Sequence, residues 1–456
     1  MLWTATAVAA ATAGRRLDPD DDGRATWSSV SIDSRLVAPG SLFVPVRGER
    51  DGHDFISDAL ARGATGYLVE VGHPLGGGGS GDGREAGSLP FVGRVEVADT
   101  GVALLDLGRA ARRRLAGPAI GITGSVGKTS TKDFLAAALA AKWRVTANAK
   151  SFNNELGVPL TLVNADADTE VTVIEMGARG AGHITLLCDV ARPSVGVVTA
   201  VAAVHTAAFG SIEAVASAKA ELVEALPANG TAVLNADDRR VAAMADRSEA
   251  AVLTYSADGR RDADVIATGM TVSSDLRATF TLSSPWGGGE VTLAARGAHQ
   301  VGNALAAAAT ALRCEVAVDE VIAALSGALV SPWRMELHYA ASGAIVLNDA
   351  YNANPASMTA ALRSLGAVPA QRRIAVVGEM AELGASSASE HRAIAELAAG
   401  LGVTLIAFGT ERYDVVPVPD LEAAVGAVGP LAAGDAVLVK ASRVVGLERL
   451  VPLLLG

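Results

Sequence analysis

The chain has 456 residues, half of them hydrophobic but only 4% aromatic, with a formal net charge of −11 and two cysteines. That length exceeds what one hydrophobic core usually organises, so two or three domains are expected, and an apolar content carried by Ala, Val and Leu suits helices packed on parallel strands. The acidic balance opposes non-specific attraction to nucleic acid or an anionic membrane, while Cys188 and Cys314, far apart and outside any CxxC spacing, argue against a disulfide framework or a zinc site.

No stretch approaches the roughly 20 uninterrupted apolar residues of a membrane span. The apolar start from Leu2 to Ala13 has no positive residue before it and is followed by Arg15-Arg16, the reverse of a secretory signal. A cytoplasmic protein without stable membrane insertion or a nucleic acid partner is expected.

Along the chain, Gly66-Tyr67-Leu68-Val69 and Phe91-Val92 read as strands, and the glycine-rich run 76–81 between them reads as a surface insertion. A helix closes at Ala111-Arg112-Arg113-Arg114 before Gly117-Pro118, and an apolar strand over 119–122 opens a new domain, so a boundary is expected near residue 116. Residues 171–174, 195–198 and 232–234 read as buried parallel strands alternating with amphipathic helices. Segments 279–282 and 291–293, with a turn at Pro285 and Gly287-Gly288-Gly289, read as a hairpin, followed by an Ala-rich helix over 303–312. Ser331-Pro332 marks a second break, after which strands are expected at 344–347, 374–377, 405–408 and 436–439. The expected fold is α/β in three domains: a small amino-terminal α/β domain over 1–116, a central phosphate-loop ATPase domain with a mostly parallel sheet over 117–331, and a carboxyl-terminal Rossmann-like domain over 332–456.

The sharpest motif is Gly121-Ile122-Thr123-Gly124-Ser125-Val126-Gly127-Lys128-Thr129-Ser130, which follows an expected strand and opens a helix. Glycine lets the backbone curl so that several N–H groups meet phosphate oxygens, Lys128 supplies a mobile positive charge, and Thr129 offers a hydroxyl to Mg²⁺. The longer phosphate-loop pattern wants glycine where Ile122 stands, so this is a shorter Thr-Gly-x-x-Gly-Lys-Thr variant. Thr123, Gly124, Ser125, Val126, Gly127, Lys128, Thr129 and Ser130 are expected to bind ATP.

Further on, Ser151-Phe152-Asn153-Asn154-Glu155-Leu156-Gly157-Val158-Pro159-Leu160 and Ile174-Glu175-Met176-Gly177 resemble the Mur ligases of peptidoglycan synthesis. Within that family, Asn348-Asp349-Ala350-Tyr351-Asn352-Ala353-Asn354-Pro355, Ser357-Met358 and Val439-Lys440-Ala441-Ser442-Arg443 are similar to the branch that joins D-Ala-D-Ala to UDP-MurNAc-tripeptide. Asp33-Ser34-Arg35, Pro39 to Val44 and Asp51 to Phe55 resemble the domain that holds the UDP end of the substrate.

The resemblance implies an ADP-forming ligase that activates a carboxylate as an acyl phosphate, and a monomer. It implies catalytic roles for Lys128, Lys219 and His205, and Mg²⁺ held by Thr129, Glu175, His205 and Lys219, the last as a carbamate formed with CO₂. Such a reaction needs the uncharged amine, which burial favours. Asn303, in His299-Gln300-Val301-Gly302-Asn303-Ala304, is implied on the adenine side, and Arg334 at a phosphate, where its planar fork is suited. Ser34, Arg35, Asn153 and Asn154 are implied for the UDP substrate. For the dipeptide the implied set is Asp349, Tyr351, Asn352, Asn354, Lys440, Ser442 and Arg443, with Asn352 and Asn354 foremost. Asn354-Pro355 also reads as a helix start. One departure is Ala200-Val201-Ala202, which stands ahead of His205 where the family usually has Asn-Val-Gly. Another Mur-type amino acid ligase, or a Mur-like nucleotide-binding protein without catalysis, remain open readings.

Overall fold

The computed structural model describes residues 1–18, 25–73, 93–149, 152–202 and 209–456. The insertion expected at 76–81, the strand expected at Phe91-Val92 and the candidate ligand His205 lie outside the described residues. Packing divides the chain into two units, one of Met1–Ala119, Trp143–Met176 and Thr185–Pro193, the other of Ile120–Lys142, Gly177–Ile184 and Ser194–Gly456.

In the first unit a five-stranded sheet runs in the order Arg15–Arg16, Gly93–Val97, Gly66–Glu70, Ser41–Phe43, Ser29–Ser31, parallel except for the first edge strand. Gly66 and Gly93 stand opposite each other in the register. A Cβ on either would run into the indole of Trp27, which is fully buried, so the paired glycines form a slot for the largest side chain of this core. The helix Thr100–Arg114 is capped by Asp99, whose carboxylate accepts from Val102 N at 2.7 Å. Buried Glu70 adds bonds from the Thr100 backbone and hydroxyl, both at 3.2 Å. His53 has both ring nitrogens engaged: Nδ1 lies 2.6 Å from Asp51 and Nε2 accepts from Glu70 N at 3.3 Å. His53 thereby ties the turn Gly52–Phe55 to the end of the central strand Gly66–Glu70. The same unit holds the parallel pair Val145–Ala147 and Val171–Glu175.

The second unit contains two sheets. One runs Gly287–Arg296, Arg277–Ser284, Val265–Val272, Ala251–Ser256, Thr231–Asn235, Val195–Val198 and the strand ending at Thr123, antiparallel among the first three and parallel thereafter. The expected glycine-rich turn of its hairpin is narrower than the sequence suggests. Gly287, Gly288 and Gly289 already pair with Ser284, Ser283 and Leu282, which leaves Pro285-Trp286 as the connection. Gly288 lies too close to the Leu282 backbone to carry a Cβ, so glycine here serves strand proximity. The helix Gln300–Arg313 buries Ala304, Ala306, Ala307, Ala308, Ala309 and Ala311, and this thin coat lets it pack closely on the helix Lys128–Leu139.

The other sheet runs Glu336–Tyr339, Ile345–Asn348, Asp435–Lys440, Arg372–Val377, Thr404–Ala407, parallel except for its first strand. Separate apolar clusters cover its two faces, one around Leu362 and Leu438, the other around Val376 and Val437. Both faces are buried, so the strands are near-continuous apolar runs, and Asn348, Asp349, Lys440 and Ser442 emerge at their carboxyl ends.

The glycine slot predicts a stability difference. Gly66→Ala is expected to cost about 1–3 kcal/mol through overpacking against Trp27. Gly48→Ala, at a position with open space, is expected to stay within about 0.5 kcal/mol of wild type. Urea unfolding of the two variants checks this, and equal midpoints would remove the slot from the account.

Candidate active site

The loop between Thr123 and Lys128 is shaped by two glycines in the positive-φ region, Gly124 at 143° and Gly127 at 85°. A Cβ on the first would strike the Thr199 hydroxyl, and on the second the Asn303 side-chain oxygen. The loop is thus held from behind by polar groups at close range. Thr199 Oγ1 donates to Val126 O at 2.5 Å, Ser125 N donates to Ala200 O at 2.7 Å, and Ser125 Oγ donates to Ala202 O at 3.1 Å. Segment 199–202 is pinned in turn. Asn235 Nδ2 and the Tyr255 hydroxyl donate to Thr199 O at 2.8 and 3.2 Å, and Asp238 accepts from Val201 N at 2.7 Å. Ala200 and Ala202 contribute carbonyls, which the family's usual residues would present equally, so the departure leaves the back of the loop intact.

Lys128 opens the helix and donates from Nζ to Gly124 O at 2.7 Å, holding its ammonium over the loop. Thr129 and Ser130 follow in the first turn, both buried. Asn303 is oriented by a bond from its Nδ2 to Gln300 Oε1 at 2.8 Å, which gives the Gln300 substitution a positional role.

Lys219 lies on the helix Ile212–Glu224, capped by Ser211, and is 2% exposed. It has no hydrogen bond or ion pair with any described residue. Burial, and secondarily the charge of Lys128, pull its ammonium down to about 7 against the opposing pull of Glu221. A large fraction of this amine is therefore uncharged at neutral pH.

In the first unit, Glu175 ends the strand Val171–Glu175 and is 1% exposed. Asn153 Nδ2 donates to its Oε1 at 2.7 Å, and Asn148 Oδ1 accepts from its backbone N at 2.6 Å. Oε2 is buried without a hydrogen-bond partner among the described residues. An orphaned carboxylate oxygen is costly unless something cationic binds it, so Glu175 fits a metal-ligand role. Asn154 Oδ1 is spent on the Gly157 and Leu156 N–H groups at 2.9 and 3.3 Å, starting the next helix. Ser34 Oγ donates to Asp58 at 2.7 Å, whereas Arg35, paired to Asp33 at 2.7 Å, keeps its guanidinium in solvent.

At the carboxyl ends of the second sheet, buried Lys440 donates to Asp349 Oδ2 at 2.6 Å and to Asn352 O at 2.9 Å. Ser442 Oγ accepts from Ala381 N at 2.8 Å and donates to Ala353 O at 3.3 Å. Asn354 caps the helix Pro355–Ala367, accepting from Ser357 N at 2.9 Å. These three side chains build the loop. Exposed Asn352 makes no side-chain hydrogen bond with described residues, and Arg443 stacks 4.4 Å over Trp333 while pairing with Glu448 at 2.9 Å. Arg334 lies 4.2 Å over the Tyr351 ring, and its buried Nε lacks a hydrogen-bond partner among the described residues.

Sequence reasoning missed Thr199, Asn235 and Asp238. The available signal was position: Thr199 and Asp238 follow, and Asn235 ends, a buried parallel strand at its carboxyl end, where α/β sheets place their ligand-facing groups.

A curled glycine loop with an ammonium above it, at the carboxyl edge of a parallel sheet and opening a helix, defines a phosphate-loop nucleotide-binding protein. The comparisons narrow the class. The Mur ligase family catalytic-domain model matches residues 26–75, the Mur ligase middle-domain model 122–311, and the Mur ligase glutamate ligase domain model 333–443. The chain is 40% identical over 477 aligned positions to the UDP-N-acetylmuramoyl-tripeptide–D-alanyl-D-alanine ligase of Mycobacterium tuberculosis, covering 94% of this chain and 93% of that protein. It is 36% identical to the Escherichia coli ligase of the same name, over 83% and 80%. Among solved structures it resembles MurF from Acinetobacter baumannii, with TM-score 0.83, 28% identity and coverage of 100% and 99%. It also resembles the MurF ligase from Thermotoga maritima in complex with ADP, with TM-score 0.77, 26% identity and coverage of 93% and 96%. The chain belongs to the Mur ligase family.

The buried Lys219 predicts a pH-dependent stability penalty. Its folded pKa of about 7 lies below the ordinary 10.5, so the unfolded chain binds the proton more tightly and wild-type stability falls as pH drops from 10.5 towards 7, then levels off. Lys219→Met is expected to raise Tm at pH 7, with the gap to wild type closing as pH rises towards about 10. Scanning calorimetry across that range checks it; a gap independent of pH would mean the lysine is solvated.

Proposed function

We propose that this chain is an ATP-dependent ligase that joins D-Ala-D-Ala to UDP-MurNAc-tripeptide, forming UDP-MurNAc-pentapeptide, ADP and phosphate in the cytoplasm. The observation that carries the reading is the end-to-end likeness to the mycobacterial ligase of that name, at 40% identity over 94% of this chain. The geometry of the phosphate loop, and buried Lys219 within electrostatic reach of Lys128, support the same chemistry. No helix among the described residues is long and apolar enough to cross a membrane. We also propose the domain division 1–116, 117–331 and 332–456, with UDP-substrate, ATP and dipeptide roles in that order, and a monomeric enzyme.

The substrate carboxylate attacks the γ-phosphorus of ATP and ADP leaves. The dipeptide amine then attacks the acyl carbon, loses a proton, and phosphate departs with the C–O bond electrons. The protein's part is positioning and charge neutralisation. Residues Thr123 to Ser130 cradle the phosphates with Lys128, which exchanges its bond to Gly124 O for phosphate oxygen. Asn303 meets the adenine side, and Arg334 reaches a phosphate from the carboxyl-terminal region. The proposed Mg²⁺ donors are Thr129, the unpaired oxygen of Glu175, His205, and Lys219 after its neutral amine adds to CO₂ with loss of a proton; the ion supplies charge neutralisation at the phosphates. Oxygen donors and an orphaned carboxylate suit that hard cation. Ser34, Arg35, Asn153 and Asn154 are assigned to the UDP substrate. The dipeptide is assigned Asn352, Tyr351 and Arg443 as contacts, with Asp349, Asn354, Lys440 and Ser442 shaping the loop that holds them.

The expected outcome is phosphate release from MgATP that requires both UDP-MurNAc-tripeptide and D-Ala-D-Ala, with the pentapeptide product detected by mass. Lys128→Ala is expected to lower turnover by about a hundredfold or more. Turnover with a different amine alone would assign the chain to a sister ligase, and nucleotide binding without turnover to a non-catalytic relative.

A further inference from the structure

The segment joining the helix Val318–Gly327 to the strand Glu336–Tyr339 is held at two points by carboxylates from different elements. Ser331 N donates to Asp133 Oδ2 at 2.6 Å, and Met335 N donates to Asp349 Oδ1 at 3.1 Å. Asp133 belongs to the helix Lys128–Leu139, five residues after the phosphate-loop lysine, or about 7.5 Å along the axis. Asp349 is held by buried Lys440 at 2.6 Å.

Between the two clamps the backbone is strained. Trp333 and Met335 have φ of 61° and 55°, a region that side-chain-bearing residues enter only when their surroundings impose it. Pro332 fixes its own φ and drives Ser331 towards an extended conformation, so the strap has little slack. Arg334 sits between the two strained residues, over the Tyr351 ring, while Tyr351 N donates to Trp333 O at 3.2 Å. The second clamp and the Tyr351 contacts fasten the strap to the loop at the carboxyl ends of the second sheet. The first clamp fastens it to the helix that the phosphate loop opens.

We propose that Asp133 is a positioning residue for the phosphate-reaching guanidinium of Arg334: its carboxylate fixes the strap to the phosphate-loop helix, so Arg334 meets the bound nucleotide in a set register. This rests on the reading that Arg334 contacts ATP phosphate. The carboxylate also lies 3.2 Å from buried Lys132, so a charge role must be separated from the clamp. Asp133→Asn retains an oxygen that accepts from Ser331 N but removes the charge, whereas Asp133→Ala removes both.

The test is a double-mutant cycle on affinity for a non-hydrolysable ATP analogue with Mg²⁺, measured by calorimetry on the full chain, with Tm recorded for each variant and kcat and KM for ATP measured in parallel. Asp133→Ala is expected to weaken binding and kcat/KM by about tenfold, Asp133→Asn to recover most of that loss, and Asp133→Ala in an Arg334→Ala background to cost nothing more. Additive losses in the double variant, or equal losses in Asp133→Asn and Asp133→Ala, overturn the proposal. A wild type that binds no nucleotide overturns the underlying ATP reading with it, whereas binding with additive losses overturns only the clamp.

Discussion

The phosphate loop curls because Gly124 and Gly127 adopt backbone angles that a side chain would forbid, and because the space their missing side chains leave is taken by Thr199 and Asn303. Much of the surrounding design follows from keeping those two polar groups in place. Thr199 is fixed through its carbonyl by Asn235 and Tyr255, from the next two strands of the sheet, and Asn303 by Gln300 one turn earlier on its helix. The sheet supplies rigidity, the small side chains of the Ala-rich helix supply close approach, and the loop inherits its shape from both.

Each unit also buries an ionisable group that folding alone would not favour. Lys219 and Glu175 are almost wholly withdrawn from water, one without any partner among the described residues and the other with one of its two oxygens unpaired. Taking an ion out of water costs several kcal/mol unless it is compensated, and Lys219 answers that cost by shedding its proton more readily, whereas Glu175 keeps one oxygen buried without a partner among the described residues. Lys440 and Asp349 show the contrasting solution: a buried pair whose remaining valences are taken by Asn352 O and Met335 N. The first kind of burial leaves valences open, and the second closes them to set geometry.

The phosphate loop was legible in the sequence because its chemistry is local, with glycine, lysine and hydroxyl fixed by contiguous spacing. The parallel strands 195–198, 232–234, 344–347 and 436–439 were legible because burial on two faces writes an apolar run, whereas Val265–Val272 and Glu336–Tyr339, half-exposed and polar in part, carried no such signal. The hairpin turn was misjudged, since a glycine triplet signals a turn and a close strand approach equally well, and only the pairing of Gly288 with Ser283 separates them. Asn354, Ser442 and Lys440 were visible as polar groups in a distinctive block, but no local rule says whether such a group will face a ligand or its own backbone. Thr199 and Asp133 were hidden for a related reason, because each acts on a segment tens to hundreds of residues away.

The slot that Gly66 and Gly93 make for Trp27 ties together three positions on three separate strands. A Cβ at Gly66 meets the indole, a Cβ at Gly93 meets the Ala25 methyl as closely as the indole, and shrinking the indole alone leaves a void. The three positions are therefore coupled as a unit: relief at Gly66 needs a smaller ring, and relief at Gly93 needs room at Ala25 as well. Residues with no part in the chemistry can thus be bound to one another as tightly as those that perform it.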